Sequence, residues 1–252
     1  MRQSEYLKIL NLVKISLEEY INWDETDICG DFFTDILSRK DVSQKNRENV
    51  SAKNLDLQEQ LNSLKKEVDF CKRCQLWENR LNAVFGSGRP DADLMFVGEG
   101  PGYDEDHKGE PFIGKAGQLL TKIIEAMGQT RETVYIANIV KCHPMIDPLN
   151  PQKRANDRPP NPDEMQACEY YLDMQLKIIK PKIIVTLGAS STKWLLKSDE
   201  SISKIRGFVR EYKGIKLMPT YHPAALLRNS SLKKFVWQDL RKVMHFLNTG
   251  EI

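Results

Sequence analysis

Short apolar runs and helically spaced apolar positions take turns along residues 93–250. Leu94, Met95, Phe96 and Val97 form one such run, closed on both sides by turn residues. Similar runs lie at 134–140, 182–187 and 215–219. Runs of this length rich in Val and Ile predict buried strands. Between and after them the apolar period lengthens. Ala116, Leu119, Leu120, Ile123, Ile124 and Met127 share one helical face, and further helices are predicted at about 163–179, 189–197 and 231–247. Asn161, Pro162 and Glu164 mark a helix start: a cap, a proline at the first position and the acidic partner of a capping box. This alternation predicts an α/β fold, a three-layer α/β/α domain around a central, mainly parallel four-stranded sheet.

The first 60 residues read differently. Tyr6, Ile9, Leu10, Val13, Leu17 and Tyr20 make an apolar stripe suited to packing or to a protein partner. Residues 39–54 are polar without periodicity and predict a linker. A helix is expected from about 55 into Cys71-Lys72-Arg73-Cys74. The chain thus divides into a helical N-terminal extension, 1–60, of unassigned role, and an α/β domain, 61–252.

The first strand breaks at Gly98-Glu99-Gly100-Pro101-Gly102, where the backbone turns tightly and another molecule can approach it. Asp104, Glu105, Asp106 and Phe112 follow before the next helix. A connection this long is usually functional or disordered, and this one carries carboxylates and an aromatic that a mere connector would not need. In parallel sheets ligands bind beyond the carboxyl ends of the strands. Those ends carry the glycine turn, Asn138, Lys141-Cys142-His143-Pro144, Gly188 and Tyr221-His222-Pro223.

Charge narrows the partners little. The net charge is +2, so any nucleic-acid surface must be local, around Lys153, Arg154, Arg158, Arg228, Lys233 and Lys234. No apolar run is long enough for a membrane helix, and residues 1–20 lack a signal peptide's continuous apolar segment. The expected location is the cytoplasm. The five cysteines argue against a disulfide framework there. Cys29 reads as a lone thiol. Cys71 and Cys74 form a CxxC pair that, with Cys142 after a strand and Cys168 on a helix, offers four thiolates to one metal centre. Spacing does not choose between zinc and iron–sulfur.

The motifs G-E-G-P-G-x-x-E-D, P-F-I-G-K-A-G-x-L-L, N-I-V-K-C and Y-H-P-A-A-L-L-R, in this order, resemble those of family 4 uracil-DNA glycosylases, over about residues 65–245. The resemblance implies hydrolysis of the N-glycosidic bond of uracil in DNA by a monomer carrying a [4Fe–4S] cluster on Cys71, Cys74, Cys142 and Cys168. A base must leave the stack to reach such a site. Phe112 would stack on it beside Gly100, and Asn138 would pair with O4 and N3–H of uracil but not of cytosine. Glu105, with Asp106, would line the uracil site; Glu99 would orient water or sugar. His222 would donate to O2 as charge develops there. Leu226 and Leu227 would wedge into DNA, with Arg228 on phosphate.

Two stretches depart from the family pattern. Residues 1–60 have no counterpart in it, and the segment between Cys142 and Cys168 is enlarged. Within that segment Lys153 and Arg154 are expected to meet DNA. Two other readings stand beside the glycosylase. A related group traps uracil-DNA covalently through a histidine in an enlarged loop here, but residues 145–160 contain none and His143 adjoins a cluster ligand. The other is a zinc-stabilised α/β protein of unrelated function.

Overall fold

The computed structural model describes residues 44–251. The apolar stripe of Tyr6–Tyr20 and Cys29 lie outside them. Helix α1 (Gln44–Asp69) is the first described element. It begins inside the stretch expected as a linker. That stretch contains no Gly or Pro, so a helix anchored by Leu61, Leu64 and Val68 in the core extends backward at little cost. Residues from Lys53 onward form one compact unit.

The sheet has six strands: β1 (Ser87–Gly88), β2 (Leu94–Gly98), β3 (Tyr135–Asn138), β4 (Ile183–Leu187), β5 (Arg210–Tyr212) and β6 (Ile215–Thr220). Their order is β1-β3-β2-β4-β6-β5. The central four, β3-β2-β4-β6, are parallel, as the apolar runs predict. The antiparallel edge strands β1 and β5 were not expected. They are two and three residues long and too short for any periodicity. β1 depends on Gly88, at φ +128°, where a side chain would strike the Val134 carbonyl. β5 returns into β6 through Lys213 and Gly214, both at positive φ, the signature of a two-residue hairpin turn.

Alternate residues of each strand enter opposite cores. Met95, Val97, Tyr135 and Ala137 face α1 and α4 (Pro162–Ile179). Leu94, Phe96, Val134 and Ile136 face α3 (Lys115–Ala126) and α8 (Lys233–Thr249). Burial on both sides explains the continuous apolar runs. Three short helices complete the site side: α2 (Tyr103–Lys108), α5 (Ala189–Leu196) and α7 (Pro223–Arg228); α6 (Ile202–Ile205) precedes the β5–β6 hairpin. No described helix is long and apolar enough to cross a membrane.

Candidate active site

The site forms where β2 and β3 end side by side. Gly98 pairs in register with Asn138, and pairing continues into the loops through Ile139 N–H to Gly98 O and Val140 N–H to Glu99 O, both 3.1 Å. Gly98 is required by space. A β-carbon there would lie 2.3 Å from Asn138 Oδ1 and 2.5 Å from Phe112 Cζ. Its absence lets the amide and the ring converge on one cradle. Gly100 is confined in the same way by Val140.

Phe112 is buried at the unusual φ of +53°, a conformation that survives only where its surroundings enforce it. Arg131 enforces it: Nη1 donates to Phe112 O at 3.0 Å and Nη2 to Pro111 O at 2.6 Å. From the other side α3 packs so closely that any side chain on Gly117 would run into the Phe112 carbonyl. Glu105 closes the loop. Its Oε1 accepts from the amides of Ile113 and Gly114, and its Oε2 from Gly102 at the start of α2.

Two acceptors in the site are buried without a partner, Asn138 Oδ1 and Glu99 Oε1. Such atoms are rare in folded proteins and call for an explanation. His222 stands across from Phe112, ring centroids 5.8 Å apart. Its Nδ1 accepts from the Ala224 amide at 3.1 Å, so the neutral ring carries its proton on Nε2. Burial, helped by Arg228, pushes its pKa down to about 4. Gly188, at φ +94°, lies directly under its β-carbon. Behind Asn138, the buried Lys141 ammonium donates to Asn138 O at 2.6 Å and Gln175 Oε1 at 2.7 Å.

Cys71, Cys74, Cys142 and Cys168 are free thiols lining one cavity. Arg73, Arg80 and Lys141 also line it, and no carboxylate does. Arg80 donates to Cys142 Sγ at 3.0 Å and the Lys141 amide to Cys168 Sγ at 3.3 Å. Burial pushes the Cys142 thiol up to about 11 and that of Cys168 to about 12. Four thiols in a lining that carries cations and no carboxylate suit an anionic group. Among the described residues no set of three His, Cys, Asp or Glu is grouped so as to hold a metal ion.

Residues 85–241 match the model of the uracil DNA glycosylase superfamily. The chain belongs to that superfamily. A type-4 uracil-DNA glycosylase of Sulfurisphaera tokodaii is 48% identical over 192 residues, covering 73% of this chain and 83% of that one. One from Saccharolobus solfataricus is 45% identical over 195 residues, 74% and 86% of the two chains. One from Thermotoga maritima is 41% identical over 194 residues, 75% and 96%. The superfamily match takes in Glu99, Phe112, Asn138, His222 and two of the four cysteines.

Within this superfamily member, several residues sit otherwise than sequence suggests. Asp106 is fully buried, and its carboxylate accepts from the Leu81 and Asn82 amides, so it holds the scaffold rather than facing the cradle. Glu105 spends both oxygens on backbone amides, as described. Leu226 packs in the core, whereas Leu227 is 53% exposed. The helix α7 turns one leucine in and its neighbour out.

Residues 145–160 fold as an ordered loop. Asn156 accepts from the Asp147 amide and donates to Asp147 O and Asn150 O, while Arg158 grips Glu164. The loop docks on α2: Gln152 meets His107 at 2.9 Å, and Arg154 lies 3.5 Å from Asp104 and over the Tyr103 ring. Arg154 is therefore already paired, though its side chain is 76% exposed; Lys153 is exposed beside it. His143 is buried between Asp157, at 2.6 Å, and Asp106, at 3.7 Å. Burial opposes charge on this ring, but the two carboxylates outweigh it and hold its pKa up at about 9. Arg131 and Gln175 escaped the sequence reading, as did the close packing that requires Gly98 and Gly117 within their motifs. Each acts through the backbone or side chain of another residue, which leaves no local signature.

Proposed function

We propose that this chain is a type-4 uracil-DNA glycosylase, hydrolysing the N-glycosidic bond of uracil in DNA and leaving an abasic site. The observation that carries this reading is the pair of orphaned acceptors beside Phe112 and His222. Uracil N3–H is the donor that Asn138 Oδ1 lacks. Cytosine has an acceptor at N3 and would leave that oxygen unpaired. The flipped base stacks on Phe112, held by Arg131. A water donates to Glu99 Oε1 and is aimed at C1′. As the C1′–N1 bond breaks and the C1′–O bond forms, the water's proton passes to Glu99 and negative charge gathers on the departing uracil. His222, neutral at physiological pH and a donor at Nε2 because the Ala224 amide occupies Nδ1, stabilises it at O2.

Leu227 would fill the space left by the flipped base, with Arg228, Lys153 and Arg154 toward phosphates. Cys71, Cys74, Cys142 and Cys168 would hold a [4Fe–4S] cluster. Bound there, it would tie the segment after α1, the loop after β3 and α4 together. The covalent-trap reading is disfavoured by the burial of the His143 ring, which is hydrogen-bonded to Asp157 and lies 3.7 Å from Asp106. The test is a uracil-containing oligonucleotide treated with alkali and run on a denaturing gel. Strand breaks in excess over enzyme support the proposal. A stable protein–DNA adduct, or no cleavage, would reject it. Brown colour and bound iron after purification distinguish the cluster from zinc.

A further inference from the structure

An open groove adjoins the cradle without including its base-reading residues. Glu99 and His222 line its inner end, but Asn138 and Phe112 do not. Its volume is about 670 Å³, within the roughly 300–1,000 Å³ of a ligand pocket. Further out it is lined by Pro159 and Pro160, which end the inserted loop, and by Lys193, Trp194 and Lys197 of α5 and its cap. Prolines offer no N–H, so that lining is apolar and indifferent to sequence. Lys197 Nζ lies 3.7 Å over the Trp194 ring and 3.7 Å from Glu169. Lys193 and Lys197 are both exposed, and Asp199 is the one other charged residue lining the outer part.

We propose that this groove binds the DNA strand running away from the flipped uracil on one side, the neighbouring base against Trp194 and the prolines and its phosphates against Lys193 and Lys197. The inference rests on the uracil-excision reading. A uracil in the cradle puts its sugar beside Glu99 and His222, where the groove begins, so the continuing backbone enters it. Apolar and aromatic surface under a cationic rim is how single strands are held without sequence preference.

The experiment compares wild type with a Lys193→Ala, Lys197→Ala double variant on uracil-free single-stranded oligonucleotides at several salt concentrations. Two lost phosphate contacts should flatten the slope of log K against log salt by roughly 1.4. A Lys182→Ala, Lys216→Ala variant removes the same charge elsewhere, from pairs with Asp93 and Glu211, and should keep the wild-type slope. On uracil substrates truncated one nucleotide at a time from each end, the difference between wild type and double variant should vanish for truncation from one end only. An abasic spacer next to uracil on that side should weaken wild-type binding. An unchanged slope, an equal change in the control variant, or a difference that persists under truncation from either end would overturn the proposal. If wild type excises no uracil, the functional reading fails. The salt slopes on uracil-free DNA still judge the groove.

Discussion

His222→Ala tests the chemistry most directly. The Ala224 amide occupies Nδ1 and leaves the proton on Nε2, and burial with help from Arg228 holds the pKa at about 4. The ring is thus a neutral donor throughout the physiological range. One donor aimed at a developing anion contributes on the order of 100- to 1,000-fold in rate, about 3–4 kcal/mol. The variant should lose that in single-turnover excision at saturating enzyme while its DNA affinity changes far less. The wild-type rate should show no imidazole inflection between pH 5 and 8. Stability has a matching sign. The unfolded ring takes up a proton as pH falls below 6.5, whereas the folded ring resists until about 4. Folding therefore loses stability across that window, on the order of 3 kcal/mol by pH 4. Urea melts at pH 7 and near pH 4 should show this loss in wild type, and His222→Ala should lack that share of it. An inflection near pH 6.5 in the rate, or equal losses in binding and chemistry, would refute the neutral-donor role.

Arg131→Ala removes the fork holding Phe112 at positive φ, and excision should fall about tenfold or more. Arg131→Lys should recover little, because a single ammonium cannot replace the planar fork; full recovery would count against the clamp. Gly98→Ala should nearly abolish excision, since its methyl group must displace Asn138 or Phe112, with far-UV circular dichroism checking that the fold persists. Cys168→Ala should lose bound iron and several degrees of melting temperature together; a variant that stays fully stable without iron would remove the structural role of the cluster.

The four parallel strands were legible because sheets covered on both faces demand unbroken apolar runs, and 93–98, 134–140, 182–187 and 215–219 supply them. The start of α4 was legible because Asn161, Pro162 and Glu164 satisfy its first amides locally. Local order also revealed the motif residues and the four thiols, since each strand end delivers its residues to one edge. Tertiary structure decided what the motifs left equal. Glu99, Glu105 and Asp106 are three carboxylates within one turn region, and only long-range packing gives Glu105 the amides of 113 and 114, Asp106 those of 81 and 82, and Glu99 no partner for Oε1. Leu226 and Leu227 are adjacent and chemically identical, and the core takes one of them. Arg131 is an ordinary arginine until the fold brings Phe112 to it. A residue's type is written in the chain, but which of its polar atoms is left without a partner depends on segments distant in sequence, and that remainder is what a substrate can bind.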